Sequence, residues 1–494
     1  MLSWFRKKPP TVSAERHRDV VGRLMNEVGR LRQVKAKYDA AQDGEDLRRY
    51  WGNADNLSAK AANSHAVRDK LRKRSRYEIA NNSYARGMLD TLANDTIGTG
   101  PTLQLLGDNE SVNRRIESAF AADMGRIDLA KKLRVMRKAK GGDGESFALI
   151  KLAIGDRFAP PVDLVLREAD YCQSDLLSRS RGGVDGIELD ENDNPIAYYF
   201  LPHHPGDVLV YSGGMEPIRE PASRVIHYFD CQRPGQVRGI PETTPALPLF
   251  AQLRRYTLAT LTAAETAADF AAILHSQASP DPDDQDDVEP FDVFEIERGM
   301  MTTVPRGWAL SQLKAEQPTA QYAEFKNQLL NEIARCFGMP FNVAAGNSAG
   351  YNYSSGRLDH QTYHRNIAVE RSIIEHTILR RIFFAWLDVA TELGIVPLGG
   401  LPPFEQLRFT WMWDGFPHVD PQKEAAAEIA LVQAGHKTYA DVYAAQGKDW
   451  QEQARQRARE EKFLADLGLK FGATGTPQET ESNGSEEEAA TAAA

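Results

Sequence analysis

Two stretches of the 494-residue sequence are similar to catalytic or nucleotide-binding motifs, but each lacks a residue that the motif requires. A P-loop, GxxxxGK[ST], uses glycines to bring backbone N–H groups around nucleotide phosphates. The nearest stretch, AGHKT at 434–438, lacks the first glycine at the required offset and places His436 before the lysine. NYSSG at 352–356 is close to the nucleophile elbow GxSxG, but Asn352 stands at the first glycine position. Neither P-loop ATP hydrolysis nor serine-nucleophile chemistry is predicted.

Residues that could hold a metal ion do not occur at ligand spacings. His203, His204 and His227 have no cysteine or carboxylate placed to complete a metal site. The three cysteines form no CxxC pair, and their scarcity suits a reducing cytoplasm. The acidic stretch DPDDQDDVEP at 281–290 lacks the glycine and terminal glutamate of an EF-hand loop. We therefore predict no metal site, no cofactor and no catalytic residue.

The chain is organised around the stretch from Phe341 to Gly394. A loop of small and amide residues, NVAAGNSAGYNYSS at 342–355, precedes a proline-free run from Gly356 to Leu393. We predict one long helix, capped by Ser354 or Ser355 and ended by a left-handed Gly394. Such a helix should cross more than one layer. Its apolar residues recur mostly three or four apart, the period of one helix face: Tyr363, Ile367, Ile374, Ile378, Ile382, Trp386, Val389 and Leu393.

Upstream of this helix the pattern alternates between helical and strand periods. Basic helical segments near 68–93 and 126–140 are expected to show solvated faces rather than nucleic-acid sites. Short strands are predicted at 147–154, 162–167, 186–189, 196–201, 208–211 and 225–229. An alanine-rich helix at 249–276, an acidic mobile loop at 279–297, a strand at 300–310 and a helix at 319–337 follow. The fold class is α+β.

The two ends of the chain differ in charge. Residues 11–39 predict an amphipathic helix, and residues 1–40 carry ten Lys or Arg against four acids, a net +6. The whole chain carries −10, so the remainder carries −16. Past Gly394, a strand at 407–413 and helices beginning near Asp420, Thr438 and Asp449 are predicted. From Gly472 the composition indicates a disordered acidic tail.

No membrane segment is expected, because no run of eighteen apolar residues exists. The N-terminal MLSWFRKKPP lacks the apolar core of a signal peptide. An acidic body argues against ordinary tight DNA binding, which relies on neutralising phosphates. It suits a conduit along which DNA slides without sticking.

Four stretches in register resemble the portal proteins of lambda-type tailed bacteriophages. They are NNSYARGMLDTLANDTIGTG at 81–100, RPGQVRGIP at 233–241, NYSSGR at 352–357 with the helix ending FFAWLDVA, and VDPQKEAAAE at 419–428. The resemblance covers roughly residues 60–470. It implies a homo-oligomeric ring, usually twelve-fold, at one capsid vertex, with DNA passing along its axis.

The resemblance also assigns names to the segments. It implies a basic N-terminal arm (1–60), an α/β wing (61–245), a stem helix (246–277) and a small β-containing clip with the acidic mobile loop (278–318). A second stem helix (319–340), a tunnel loop (341–355) and the long wing helix with a returning wing strand (356–418) follow. Crown helices (419–471) precede the disordered acidic tail (472–494).

The tunnel loop is the predicted DNA-facing site. Glycine and alanine let the loop move, the amides and hydroxyls can exchange hydrogen bonds with phosphates, and the tyrosines offer ring faces. The predicted residues are Asn347, Tyr351, Asn352, Tyr353, Ser354 and Ser355. None carries a charge, so contact with DNA would be weak and would slip. The alternative is a flexible linker packed under a neighbouring subunit. The predicted subunit contacts are Leu253, Leu261, Ile273, Tyr363 and Ile367.

The implied partners are other copies of the chain, the terminase large subunit, capsid and scaffold proteins, a head–tail adaptor protein and double-stranded DNA. The implied location is the virion portal vertex, after assembly in the bacterial host cytoplasm. A second hypothesis remains from the residues alone. A cytoplasmic nucleic-acid-processing enzyme could use the basic helices together with acids such as Glu145 and Asp170.

Overall fold

The computed structural model describes residues 22–23, 50–152, 160–173, 183–207, 216–268, 272–276, 308–312, 321–396, 403, 406–416 and 421–469. The chain divides into two compact units, Met1–Ala61 and Ala62–Ala494. The predicted arm helix (11–39), strand 208–211, acidic loop 279–297 and acidic tail lie almost entirely outside the described residues.

Helices and short antiparallel strands share the second unit. The helices are α1 (His65–Asn81), α2 (Ser83–Ile97), α3 (Glu110–Arg126), α4 (Leu129–Asp143), α5 (Leu247–Ala268), α6 (Gln321–Cys336), α7 (Phe341–Ala345), α8 (Tyr353–Ile374), α9 (Arg380–Glu392), α10 (Pro421–Gln433), α11 (Tyr439–Ala445) and α12 (Trp450–Asp466). The strands are β1 (Thr102–Leu105), β2 (Glu145–Leu152), β3 (Val162–Arg167), β4 (Gly183–Val184), β5 (Ile187–Leu189), β6 (Pro195–Phe200), β7 (Ile218–Pro221), β8 (Val225–Phe229), β9 (Ala272–Ser276), β10 (Trp308–Gln312) and β11 (Phe409–Met412).

The strands form small antiparallel sheets. One sheet has the order β3-β2-β8 and another the order β4-β5-β6-β7, while β1 pairs with β11 and β9 with β10. Side chains of β2 alternate between two cores, as the pleat requires. Ala148 and Ile150 enter the largest core with α3, α4 and α9, whereas Phe147 packs with Tyr198 and Phe200 of the neighbouring sheet. The predicted mixture of helix and sheet is confirmed.

The long helix crosses two of these cores. Tyr363 and Ile367 belong to a core built from α2, α5, α6 and α7, and the residues from Ile374 to Ala390 belong to the largest core. The helical run continues from α8 through a π-turn, Glu375–Leu379, into α9. The buried positions 374, 378, 382, 386 and 390 are four residues apart. Because a regular α-helix has 3.6 residues per turn, positions four apart drift around its axis and would not stay on one face. The π-turn takes up an extra residue and restores the alignment.

The ends of the long helix are only partly as predicted. Gly394 adopts φ +69°, the left-handed conformation expected of it. Asn352, rather than Ser354 or Ser355, caps the start, with Oδ1 accepting the Ser355 N–H at 2.8 Å. The helix therefore begins at Tyr353, and both serines lie inside its first turn.

The predicted stem helix at 249–276 is too long. α5 ends at Ala268, and residues 272–276 form a strand whose register pairs Ile273 with Ser311 of β10. Alanine favours a helix, but an antiparallel ladder satisfies the backbone of this segment through a partner that local sequence does not show. The predicted strand at 300–310 appears as Trp308–Gln312, with residues 300–307 outside the described ranges.

A buried ion cluster joins α1, β2, β8 and the loop at 233–241. Glu145 is fully buried and accepts hydrogen bonds from Arg238, from the Gly239 N–H at 3.0 Å and from His227 Nε2 at 3.0 Å. Arg238 also donates to the carbonyls of Ala169, Cys172 and Asp185. Burial alone would raise the pKa of the Glu145 carboxyl, yet the Arg238 charge and the hydrogen bonds to His227 and Arg238 hold it well below its ordinary value.

Gly239 permits the loop at 233–241 to approach the end of α4 closely. A Cβ on Gly239 would lie 2.0 Å from the carbonyl oxygen of Gly144, at the end of α4. Only a residue without a side chain fits there, so Gly239 brings Arg238 within reach of Glu145.

The basic helices are solvated only in part, because cations such as Lys73 and Lys138 are exposed while others are buried. Arg68 and Arg72 are buried in the cluster, and Arg72 lies 3.6 Å from Glu145 and 3.7 Å from Asp170. In α4, Arg137 and Lys140 are buried as well. A run of charges in sequence does not reveal the partners that tertiary packing supplies, and paired charges can be buried.

The α4 cations form a second ion cluster. Lys140 Nζ donates to both Glu370 oxygens at 2.7 and 2.8 Å, and Arg137 donates to Glu242 at 3.0 Å. The Tyr228 hydroxyl donates to Glu370. Through these contacts α4 and β8 are joined to α8 in the long helix.

The first prediction concerns the Glu145 cluster. Arg238→Ala should lower the free energy of unfolding by about 3–5 kcal/mol, because it leaves a buried carboxylate unpaired. Arg219, which pairs with Glu188 at 2.9 Å on the surface, is the matched control. Arg219→Ala should cost at most about 1 kcal/mol. Chemical denaturation of both variants measures the difference.

The pH dependence provides a further check on the same cluster. Since the folded-state pKa of Glu145 lies below its unfolded value near 4.5, its ion pairs stabilise the wild type fully above that value. This contribution is lost as pH falls through the folded pKa. The penalty of Arg238→Ala should therefore shrink in acid. A penalty that is small at neutral pH, or unchanged in acid, would contradict the assignment.

Candidate functional site

The predicted tunnel loop is shorter and more ordered at its ends than the sequence indicates. Residues 341–345 form helix α7, and Gly346 ends it in the left-handed conformation. The N–H of Asn347 donates to the Asn342 carbonyl at 3.1 Å, and Tyr351 N–H donates to the Ser348 carbonyl at 3.2 Å. The loop proper is therefore the segment 346–352 between α7 and α8, which we call the α7–α8 loop.

The α7–α8 loop presents exposed backbone and short polar side chains. Residues 346–350 and Asn352 are exposed, and none of them carries a charge. Asn347 Oδ1 accepts the Ala349 N–H at 2.9 Å, so part of its amide is used within the turn. Gly350, with φ +85°, lets the chain reverse before Tyr351. The uncharged part of the predicted loop thus corresponds to these exposed central residues.

The predicted DNA-facing residues differ in how available they are. Tyr351 is half-buried against the start of α8, and burial, with Asp359 nearby, raises the pKa of its phenol. Asn352 Oδ1 is committed to the cap, and the Ser355 hydroxyl donates to the Asn352 carbonyl at 3.3 Å. The side chains of Tyr353 and Ser354 lie outside the described residues. Asn347 remains the most open of the set.

A hydrogen bond below the loop ties it to the long helix. The side-chain nitrogen of Asn342 lies 3.0 Å from His360 Nε2, two turns into α8. The Asn342 carbonyl also accepts the Asn347 N–H. Asn342, which sequence reasoning left out of the site, therefore anchors one end of the loop to α8.

Three of the predicted subunit contacts are buried within the chain. Leu253, Tyr363 and Ile367 are each at most 3% exposed and pack in the core around α2, α5 and α6. The Tyr363 hydroxyl donates to Asp95 at 2.8 Å. These predictions are wrong, because apolar periodicity marks a buried face without saying whether the same chain or another copy buries it. Ile273 lies in β9, and its side chain is outside the described residues.

Leu261 is the predicted contact that stays exposed, at 55%. Leu258, one turn earlier on α5, is 63% exposed, and Phe325 on the packed helix α6 is 52% exposed. Sequence reasoning missed these two. Leu258 lies three residues before Leu261 on α5, and Phe325 lies on α6. That these side chains face away from the packed side of the helix pair could be recognised only once the buried face of α5 was known.

The last helices also carry uncovered apolar side chains. Ile429 of α10, Tyr439 of α11 and Phe463 of α12 are between 58% and 64% exposed. No residue of α11 or α12 is buried in the described part of the chain. Thr438 and Asp441 form a capping box at the start of α11, where a helix start is predicted, so this helix is locally specified even without a core.

The acids proposed for a nucleic-acid-processing enzyme are structural. Glu145 is enclosed by Arg238 and His227 without access to solvent. Asp170 accepts from Arg76 at 2.6 Å, and the charges of Arg72 and Arg76 lower the pKa of Asp170 despite its partial burial, which alone would raise it. Neither carboxylate is placed to act on a substrate.

Glu168, Asp170 and His204 are the one group in the described residues close enough to suggest a metal site. Arg76 already bonds both carboxylates, at 3.2 and 2.6 Å. His204 Nδ1 accepts the Gly206 N–H at 3.0 Å, so the ring proton sits on Nε2, which faces Glu168. A metal ion would have to displace Arg76 from the carboxylates and the proton from His204 Nε2. We therefore interpret the group as an ion-paired turn.

Within the described residues, no helix is long and apolar enough to cross a membrane.

Comparisons with known proteins match most of the chain. A family model described as phage portal protein, lambda family, matches residues 46–371. A protein named "Probable portal protein" from Halomonas phage phiHAP-1 is 25% identical over 430 residues, covering 81% of this chain and 82% of the relative. Portal protein B of Escherichia phage lambda is 27% identical over 171 residues, 33% of this chain and 32% of its own length.

Solved structures with a similar fold come from gene transfer agent particles. A chain from the neck of an empty particle computed with C6 symmetry has 14% identity and a TM-score of 0.44, covering 80% of this chain and 92% of its own. A chain from the neck of a native particle computed with C12 symmetry has 12% identity and a TM-score of 0.43, covering 76% and 91%. The family assignment rests on the sequence comparisons.

The second prediction concerns the start of the long helix. Asn352→Ala should lower the free energy of unfolding by about 1 kcal/mol, because it removes the oxygen that accepts the Ser355 N–H. Asn352→Asp, which keeps an acceptor at the cap, should be near neutral. Thermal and chemical denaturation compare the two variants. Equal stability of Asn352→Ala and the wild type would show that the cap contributes nothing.

Proposed function

The chain belongs to the lambda family of phage portal proteins, and from that premise we propose that its copies form a closed ring at one capsid vertex through which DNA is packaged and ejected. The family is structural rather than enzymatic, so the prediction that the chain is not an enzyme is confirmed. The observation that carries the proposal is the family match over residues 46–371, which spans the predicted wing, both stem helices and the tunnel loop.

Exposed apolar side chains on the stem helices support self-association. α5 and α6 pack against each other through Tyr256, whose ring stacks 5.5 Å from Tyr322. Leu258, Leu261 and Phe325 stay more than half exposed on this pair. Another copy of the chain would cover them. Head-to-tail contacts between copies generate a closed ring when the rotations from each copy to the next add up to a full turn. We propose twelve copies, the number that the family implies.

The charge of the chain supports a DNA conduit rather than a DNA-binding protein. Outside residues 1–40 the net charge is −16, and several cations that looked available in α1 and α4 are buried in ion pairs. Such a surface leaves few sites at which phosphates would be held, so a duplex could move along it.

The α7–α8 loop is the part of the chain that we propose lines the narrowest section of the channel. It is exposed and uncharged, and it is anchored at both ends, by Asn342 to His360 and by the Asn352 cap. Anchored ends with an open centre would let residues 346–350 touch a passing duplex through weak, exchangeable hydrogen bonds.

The remaining partners follow from the same role. During packaging the ring would dock the terminase large subunit, and afterwards a head–tail adaptor protein would take that position. Capsid and scaffold proteins would surround the ring during assembly in the bacterial host cytoplasm, and the mature location would be the portal vertex of the virion.

The third prediction tests the ring and the stem contact. The wild type should form large rings at micromolar concentration and near-physiological salt, measured by light scattering and negative-stain electron microscopy. Leu258→Glu with Leu261→Glu should shift the protein to small species, because it places charges at a buried contact. Circular dichroism should be unchanged, since both side chains are exposed in the single chain.

Gln252→Glu, at an exposed position of the same helix, is the matched control and should leave rings intact. A wild type that remains monomeric under these conditions would contradict the ring. Rings in the leucine double variant would contradict this stem contact alone.

The fourth prediction tests the channel loop. Replacing Tyr351 and Tyr353 with alanine should leave ring assembly normal and reduce packaged or retained DNA several-fold, because the aromatic faces nearest the duplex are lost. Replacing both with phenylalanine keeps those faces and serves as control. DNA content of purified particles measures the effect. Normal DNA content in alanine-variant particles would mean that the loop is only a linker.

A further inference from the structure

A cleft beside the π-turn is the strongest site that the portal role does not use. The π-turn Glu375–Leu379 and the strand β11 border a cleft of about 270 Å³. π-turns are rare and occur often at functional sites. The polar residues that line the cleft are Glu375, His376, Arg380, Arg408 and Thr410.

The cleft has an excess of positive charge in an acidic chain. Arg380, Arg408 and His376 are exposed, and none of them forms an ion pair with any of the described residues. Glu375 is the carboxylate in the lining, and its Oε1 accepts the Trp413 indole N–H at 2.7 Å. That bond holds Glu375 toward the strand side. Two guanidinium groups therefore face the cleft without a carboxylate of their own.

Aromatic rings hold one of the two arginines in place. The Arg380 guanidinium carbon lies 5.1 Å from the Phe384 ring centroid and 5.9 Å from that of Phe409. Such stacking restricts the side chain while leaving its N–H groups free to donate. His376 is four residues before Arg380 and lies on the same side of the helix. The N–H donors of Arg380 are thus positioned before any ligand arrives.

We propose that this cleft binds a phosphate group. An arginine fork matches two phosphate oxygens, and the second arginine, the histidine and the Thr410 hydroxyl supply further donors. A lone carboxylate would leave several of these donors unused, whereas a phosphate has three or four acceptor oxygens to offer them. The group can belong to free pyrophosphate or a nucleotide, or to a DNA backbone. The site lies on the long helix and β11 of a single chain, so it does not depend on the ring or on the channel loop.

The test uses the full chain and three variants. Isothermal titration calorimetry with pyrophosphate at low salt should show binding to the wild type. Arg380→Gln with Arg408→Gln should weaken it at least about tenfold, since charge-assisted hydrogen bonds are lost. Arg380→Lys with Arg408→Lys, which keeps the charges and loses the forks, should fall between. Arg115→Gln with Arg224→Gln removes two exposed arginines elsewhere and should bind as the wild type does.

A second measurement identifies the source of the phosphate. Fluorescence anisotropy with a short duplex should be repeated on the same variants over a range of salt. A loss of duplex affinity with a shallower salt dependence in the glutamine variant would assign the cleft to a DNA backbone. An unchanged duplex affinity, together with lost pyrophosphate binding, would assign it to a free phosphate compound.

Three results would overturn the proposal. They are a wild type that does not bind pyrophosphate, a glutamine variant that binds it equally well, and tighter binding of a glutamate-rich peptide than of pyrophosphate. Electron microscopy of the same variants separates this proposal from the portal role, because the ring should form in all of them.

Discussion

The buried pairing of Glu145 with Arg238 is the interaction on which the packing of α1, β2 and β8 depends. It joins a strand, a loop, a basic helix and a second strand at one point where no solvent reaches. A carboxylate in that position must be paired, because removal of either partner leaves a charge without solvation. The close approach of Gly239 to Gly144 makes the pairing possible, and the carbonyls that Arg238 binds fix the neighbouring hairpin. Arg68 and Arg72 of α1 are part of the same structure, whereas Lys70, Lys73 and Arg74 of this helix stay exposed.

The long helix is the second constraint, since it is shared by two cores. Its first half packs with α5 and α6 and its second half with the β3-β2-β8 sheet, and the π-turn keeps buried residues on one side where their spacing alone would not. Glu370 links this helix to α4 and β8 through Lys140 and Tyr228. The two cores are therefore connected through one continuous element. The α7–α8 loop lies at the start of that element, so its anchors depend on the same packing.

A portal role and an acidic chain are physically consistent. A conduit would have to contact a polyanion without retaining it, and the net negative charge of the chain outside residues 1–40 disfavours retention. The helices α5, α6, α10, α11 and α12 carry apolar side chains that a single chain leaves in solvent. The cleft beside the π-turn departs from the general acidity of the chain. One of its arginines, Arg380, is held by aromatic rings rather than by a carboxylate, which distinguishes it from the ion-paired arginines around Glu145.

The sequence by itself did not predict β1 or α3. It determined the family, the α+β class, most of the other elements in their order and the existence of the long helix with its left-handed Gly394. These depend on local signals: apolar periodicity, capping residues and turn residues act within a few positions. It did not determine that α5 ends at Ala268, because the strand pairing of residues 272–276 comes from a partner more than thirty residues away. Nor did it determine that Tyr363 and Ile367 face their own chain while Leu258 and Phe325 face solvent. Periodicity identifies an apolar face, and only the tertiary structure decides what covers it. The same holds for Arg68, Arg72 and Arg238, whose partners are distant in sequence and meet only when the sheet and the helices have packed.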